Sequence, residues 1–524
     1  MSRPAPADAA AAALAAAFGL ALALFAWQPT LATFADDSVS YLVMAQVFSP
    51  FQPASPAVAA AFAREAFYPP LFPLLLALAG AAHDLAWAHA LVALLLAAAL
   101  PLAYRLGVRW LESRGAALAA LACIALAPSL WINARGILSE TLFCLLLVST
   151  FLVLEQEKNA SWKLGVLMAA MALTRTAALP MIVTYGLWAA VKGDGARGDL
   201  RARLRAAAPA LAALAAYGLW VLVQPSQTEG DYAGILRDKG QGLFGGPAGF
   251  GTALAASLLR QANAIAEGWA GSLLVYWIEG RPLRFALASA VGLLAVAGVA
   301  LRMRRGKADG WMAAAYLATL LAWPFYEQME RFLFPLLPVL LLYAFLAAGA
   351  ALRAASGKPA LAHTVLAALL LTLVLPAMAF FYQRAHAEGR VVEINDWYRT
   401  PDPVRARLRA EVHLRLMDDM NAIRELTPPE ARVMWVAPAY VALLAGRRGL
   451  AAPDPRLAPE AYRDAVRASG ADYVFLSRYH PRDTLRDTAW QAGVRALSDG
   501  AKAVHTSTQD NGSIVSSVLL KVGK

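Results

Sequence analysis

The 524-residue sequence is 59% hydrophobic and only 16% charged, with 47 Lys and Arg against 36 Asp and Glu. An ordinary soluble domain carries about 25% charged residues, so a single water-soluble globule and a disordered chain are both excluded. The charge is also uneven: residues 383–524 hold 38 charged side chains in 142 positions, and residues 1–382 hold 45 in 382. The front therefore reads as a membrane domain (1–382) and the back as a soluble α/β domain (383–524). The basic excess does not point to nucleic acid, because the cations of the front are spaced as loops between apolar runs.

A bilayer core needs about 20 mostly apolar residues per helix. Runs near 10–31, 86–104, 115–131, 139–154, 163–174, 177–191, 207–223, 285–301, 310–324, 333–351 and 361–381 give about eleven spans. The first is taken as retained, since a clear cleavage site is missing. The fifth is too short for a full crossing and reads as a broken or re-entrant helix. Excess Lys and Arg marks cytoplasmic loops. With Arg3 inside, the loops at 105–114, 155–163, 192–205, 302–307 and 353–358 fall on the same side and, together with Arg3, collect 17 of the 26 cations of the front. Segments 32–85, 132–138, 225–284, 325–332 and the tail then face outward. Cys123 and Cys144 sit in apolar runs and read as small buried hydrophobes.

The outward segments carry the informative residues. Asp36 and Asp37 follow the first span. Tyr41, Ala45 and Phe48 recur after them at helical spacing, which predicts an amphipathic helix on the membrane surface. Adjacent carboxylates at a membrane edge are costly unless solvated or paired; a helix cap and a catalytic role are both open for them. Tyr68-Pro69-Pro70-Leu71-Phe72-Pro73 predicts a rigid helix start. Asn133 to Glu140 follows the third span; there Ser139 can cap the next helix and Glu140 suits its first turn. Thr174-Arg175-Thr176 ends the short fifth helix. In Glu327 to Pro338 an Arg, Arg331, stands where the chain re-enters lipid. A boundary Arg commonly snorkels, but Arg175 and Arg331 on one side also suit a phosphate, which guanidinium binds bidentately. Aromatics at Phe244, Phe250, Trp269, Tyr276 and Trp277 read as interfacial anchors or as the lining of a groove, and the glycines at 240–249 as a mobile segment.

In the tail, 432–436, 472–476 and 513–521 read as strands, and 404–426 and 457–469 as amphipathic helices. His413 and His480 read as surface residues. A phosphate-binding glycine loop and metal-ligand spacing are both missing there.

The motif order resembles the polytopic glycosyltransferase C superfamily. Asp-Asp-x3-Tyr comes first, then Tyr-Pro-Pro-Leu-Phe-Pro, Ser-Glu, Leu-Thr-Arg and Arg-Phe-Leu-Phe-Pro-Leu-Leu-Pro. The nearest likeness is to bacterial lipid A aminoarabinose transferases and protein O-mannosyltransferases, and it covers about residues 10–350. The tail, through 437–448 and 470–476, is similar to the small extracytoplasmic α/β domain appended to many such enzymes. The resemblance implies a multi-pass enzyme of the bacterial inner membrane with its C-terminal domain in the periplasm. It implies transfer of a sugar from a polyprenyl-phosphate carrier to a glycan, lipid or protein acceptor, with inversion. Asp36 or Asp37 then matches the family's first-loop acid and Glu140 its second. Arg331, followed by Arg175, would bind the donor phosphate, while Tyr41, Tyr68, Pro70, Arg135 and Ser139 would line the cavity. Asp36, Asp37 and Glu140 also offer an oxygen set for a divalent metal such as Mg or Mn, although no cofactor is strictly required. Asp-Asp departs from the mannosyltransferases' Asp-Glu, which leaves the acceptor class open. The rival readings are an oligosaccharide ligase or polymerase with a diphosphate-linked donor, and a secondary transporter.

Overall fold

The computed structural model describes all residues except 1–4, 30, 32–35, 157–160, 193–198, 225–249, 276–281, 324–327, 387–402, 479–485, 498–500, 510–511 and 523–524. Each of the eleven apolar segments carries a helix. Six of the described helices are long and apolar enough to cross a membrane unaided, over Pro6–Ala26, Leu85–Leu111, Leu200–Val223, Pro282–Arg304, Met329–Ala355 and Pro359–Tyr382. The helices of the other five apolar segments are shorter. One pair, Arg114–Leu126 and Pro128–Ala134, bends by 53° at its break. The cause is local: Pro128 forces Ala127 into extended backbone, so the helix stops and restarts.

The helices used below are α1 (Pro6–Ala26), α2 (Asp36–Phe48), α3 (Pro56–Glu65), α4 (Leu71–Leu78), α5 (Leu85–Leu111), α6 (Arg114–Leu126), α7 (Pro128–Ala134), α8 (Glu140–Gln156), α9 (Trp162–Ala172), α10 (Leu179–Val191), α11 (Leu200–Val223), α12 (Phe250–Leu274), α13 (Pro282–Arg304), α14 (Ala308–Leu321), α15 (Met329–Leu333), α16 (Leu337–Ser356) and α17 (Pro359–His386). Small residues let them approach closely. A Cβ on Gly298 of α13 would lie 2.1 Å from the Tyr343 carbonyl oxygen of α16, so only glycine fits that crossing.

The tail folds as α18 (Pro403–Leu426), β1 (Arg432–Trp435), β2 (Arg448–Ala451), α19 (Pro459–Ser469), β3 (Tyr473–Ser477), α20 (Arg486–Leu497), β4 (Ala501–Gln509) and β5 (Ile514–Val522). The strand order is β2-β1-β3-β5-β4; β1 runs parallel to β2 and β3, and β5 antiparallel to β3 and β4. The period of two divides the faces. Met434, Val474 and Leu476 pack with Tyr462 and Val466 of α19. Val433, Trp435 and Phe475 face the other way, toward Leu416, Met420 and Ile423 of α18. His413 and His480 lie outside the residues whose side chains are described.

That second face does not end at the soluble domain. The same apolar cluster continues through Tyr440, Val441 and Leu444 into Tyr41, Leu42 and Val43 of α2, Phe72 and Leu76 of α4, and Val92 of α5. Helix α2 is therefore not the surface helix that its spacing predicts. Residues 38–45 are all buried, because α3 and α4 cover one side and the 438–445 segment of the tail the other. Burying a large apolar side chain is worth about 1.5–3 kcal/mol, so several such contacts hold the two parts together.

The 225–284 segment also departs from a plain loop. Its described part contains the 25-residue helix α12, which packs on α15, α13, α7 and α17. Gly268 makes this possible: a Cβ there would lie 2.8 Å from the Glu330 amide nitrogen. Phe244 and the glycines at 240–249 lie outside the described residues, as do Tyr276 and Trp277, and the side chain of Phe250 is not described. Trp269 is no groove lining. It is 5% exposed and donates its Nε1–H to the Ala288 carbonyl at 2.8 Å.

Candidate active site

Four separate sequence segments deliver four charged side chains to one place. Asp37 comes from the first turn of α2. Glu140 is the first residue of α8. Arg175 sits in the break after α9, where its backbone is extended (φ −150°, ψ 135°) and Pro180 helps to start the next helix. Arg331 lies in the short helix α15, just before Pro335 and Pro338 restart the chain as α16. Each position is a helix end or break, where a side chain can leave the lipid-facing pattern.

Arg331 joins the two acids. Its Nε donates to Glu140 Oε1 and its Nη2 to Asp37 Oδ2. Arg175 Nη1 lies 2.8 Å from the other Glu140 oxygen, Oε2. The two carboxylates and two guanidinium groups balance, which is how such charges tolerate burial. Arg331 is thus no snorkelling anchor; the acids hold it inside, with its side chain 13% exposed.

Hydroxyl groups surround the quartet. Tyr68 donates to Asp37 Oδ1 at 2.5 Å. Ser139 Oγ accepts from Arg175 Nη1 at 3.0 Å and lies 2.7 Å from the Tyr41 hydroxyl. The Tyr41 ring packs on Tyr68 and edge-on to Phe72. The Pro69–Pro70 turn fixes Tyr68: Leu71 N donates to the Leu173 carbonyl at 2.9 Å, tying the start of α4 to the end of α9 beside Arg175. Pro70 serves as the N-cap of α4.

Exposure separates the two acids. The Asp37 side chain is 24% exposed and the Glu140 side chain 0%. Part of Asp37 is open to solvent and Glu140 is sealed. Burial pushes the Asp37 carboxyl up, but the Arg331 charge and the hydrogen bonds from Tyr68 and Arg331 outweigh it and hold it below the usual carboxylate range. Burial, then the Asp37 charge, pushes the Tyr41 phenol far up, so it stays protonated.

Asp36 opens α2, and its side chain is outside the described set. Arg135 is buried and stands over the Phe25 ring of α1, 4.2 Å from its centroid. Two residues beside the quartet do not emerge from the motifs. Ser40, one turn beyond Asp37, donates to Glu65 at the end of α3. Burial pushes the Glu65 carboxyl up, against that hydrogen bond. The one available signal is an acid placed just before Tyr68-Pro69-Pro70. Among the described residues, no three His, Cys, Asp or Glu side chains converge as a metal site.

Neither a protein-family model nor a curated protein matches the sequence. Solved structures do. The chain is similar to ArnT from Cupriavidus metallidurans bound to undecaprenyl phosphate, at 13% identity and TM-score 0.52, covering 97% of both chains. It is also similar to the oligosaccharyltransferase AglB from Archaeoglobus fulgidus. In the complex of AglB with an inhibitory peptide and dolichol-phosphate, identity is 13% and TM-score 0.52, over 99% of this chain and 74% of that one. For an oligosaccharyltransferase from Archaeoglobus fulgidus in complex with Zn and sulfate the values are 14% and 0.51, over 97% and 73%. The chain shares the fold of these structures, a bundle of apolar helices followed here by a small C-terminal sheet domain.

Proposed function

We propose that the chain is a membrane glycosyltransferase that moves a sugar from a polyprenyl-phosphate carrier to an acceptor nucleophile at the quartet. The observation that carries this reading is the shared Arg331: one guanidinium holds the accessible acid Asp37 and the sealed acid Glu140 together. The solved relatives bound to undecaprenyl phosphate and dolichol-phosphate support the donor class. The positive-inside pattern supports placing the quartet and the tail outside the cytoplasm, in a bacterial inner membrane.

In the proposed reaction Asp37 accepts the proton of the acceptor group. The acceptor atom forms a bond to the anomeric carbon from the face opposite the phosphate. The bond from that carbon to the phosphate oxygen breaks, and its electron pair stays on the phosphate, giving inversion. Arg331 and Arg175 stabilise the charge that grows there. Glu140 is a positioning residue that keeps both guanidinium groups at the site, and Tyr68 fixes the Asp37 carboxylate. Tyr41 and Ser139 supply hydroxyl groups to the cavity wall. A divalent metal does not fit the described side chains: Asp37 and Glu140 already face guanidinium groups, so a dication between them would meet two positive charges at close range. No step of the reaction is routed through one.

The test is transfer of labelled sugar from a polyprenyl-phosphate donor by the full chain in liposomes, with the acceptor identified as the glycan, lipid or protein that loses sugar when the gene is deleted. Transfer that Asp37→Asn abolishes supports the reading. Transfer from a diphosphate-linked donor only would move the enzyme to the ligase or polymerase class. Solute uptake without transfer would make it a transporter.

A further inference from the structure

The end of the bundle opposite the quartet carries a cavity that the proposed reaction does not use. It measures about 520 Å³.

 A second cavity at this end, of about 260 Å³, holds Arg305 and the pair Glu112 and Arg353, 4.0 Å apart. The larger one, between the start of α1, the end of α5 and the end of α8, is the site argued below.

Its walls are Ala11 and Ala12 of α1 and Pro101 and Val108 of α5, with Gln156 closing the α8 side. The alanines of α1 leave the space that longer side chains would fill. Three cations edge the cavity: Arg105, Arg109 and Arg114. Arg105 and Arg109 stand one turn apart on α5, so their side chains share a face. The cavity's one carboxylate, Asp8, is already engaged. It accepts from the Tyr104 hydroxyl at 2.8 Å and from Arg114 Nε at 3.3 Å. Arg105 and Arg109 are exposed and have no carboxylate partner among the described residues. The cavity thus pairs an apolar wall with two uncompensated guanidinium groups. It lies beside α1, whose Leu20 and Leu24 are exposed.

We propose that this cavity binds the phosphodiester head group of an anionic phospholipid, with Arg105 and Arg109 on the phosphate and the glycerol against Ala11, Ala12 and Val108. Guanidinium suits a phosphate oxygen pair, and basic pockets between membrane helices hold anionic head groups. The apolar wall selects a lipid over a free anion, and the uncompensated charge of Arg105 and Arg109 selects an anionic lipid over a zwitterionic one.

The experiment titrates the purified full chain in neutral detergent with dioctanoyl phosphatidylglycerol, dioctanoyl phosphatidylcholine and inorganic phosphate, reading retained lipid by native mass spectrometry and the thermal midpoint. The expected result is phosphatidylglycerol binding that weakens about thirtyfold in Arg105→Gln/Arg109→Gln, and about fivefold in each single variant. Lys192→Gln, a cation at the same end but outside the cavity, should leave binding unchanged. The single variants keep the test readable if the double variant fails to fold. Equal binding of phosphatidylcholine, an unchanged affinity in the Arg variants, or phosphate competing as well as the lipid would each overturn the proposal.

Discussion

Helix α8 has a buried ion network at each end, and the two differ in kind. At its last turn, Glu155 meets Arg302, which also grips Asp309 with Nε on Oδ2 at 2.9 Å and Nη2 on Oδ1 at 2.7 Å. Tyr343 donates to the same Asp309 at 2.8 Å, and Arg302 stacks over Trp110. Arg302 and Asp309 are seven residues apart, across the turn from α13 to α14, so the main grip is local. At its first turn, Glu140 meets Arg331 across 191 residues, and Arg331 meets Asp37 across 294. The far-end network is the more closed, with Arg302 6% and Asp309 2% exposed, and it joins four helices, α8, α13, α14 and α16. The near-end network leaves Asp37 partly open and rings it with hydroxyl groups. Similar chemical parts therefore make a clamp at one end and the proposed reaction centre at the other, and access separates the two.

Variants can break that contrast. Asp37→Asn should lower sugar transfer by about 10²- to 10⁴-fold, the usual contribution of a general base, while the thermal midpoint stays near that of the parent; a large loss of stability would make Asp37 a structural residue. Arg302→Ala should do the reverse. Leaving Glu155 and Asp309 buried without their cation should cost about 3–5 kcal/mol, read by denaturation in micelles, with near-parent turnover in the protein that remains folded. Tyr68→Phe should give a smaller effect with a definite sign. The parent Asp37 is held below the ordinary carboxylate value of about 3.9, so its stabilising contribution is present above that value and lost as pH falls through the lower folded one. Removing the Tyr68 hydrogen bond raises the folded value, and the acid limb of kcat/KM should move to higher pH. Chelation should have the smallest effect: EDTA is expected to leave transfer within about twofold, and full loss with recovery on adding Mg or Mn would show that a metal enters the reaction.

The candidate site is partly legible in the sequence because its residues sit at helix breaks marked by proline and by polar residues between apolar runs. Asp37, Tyr68, Ser139, Glu140, Arg175 and Arg331 all stand at such breaks. Their pairing is not legible, since an ion pair across 294 residues leaves no local trace. Helix α12 escapes for a related reason. Gly268 and Gly271 weaken its helical pattern, yet they are what allow it to sit against Met329 and Glu330. In the tail, β1, β3 and β5 are apolar enough to read as strands. Strand β4 is an edge strand with Lys502, His505, Thr506, Ser507 and Thr508 along it, so alternation alone does not reveal it. Its role appears only in the structure: His505, Ser507 and Ser517 all hydrogen-bond Asp419 and fasten β4 and β5 to α18.

The apolar seam between α2 and the tail has a consequence for synthesis. The helix that bears Asp37 leaves the ribosome long before Tyr440, Trp435 and Leu519, which complete its surroundings. Pairing of such distant segments is slow and follows local structure. The membrane helices between them must therefore insert with the quartet still uncovered on that side.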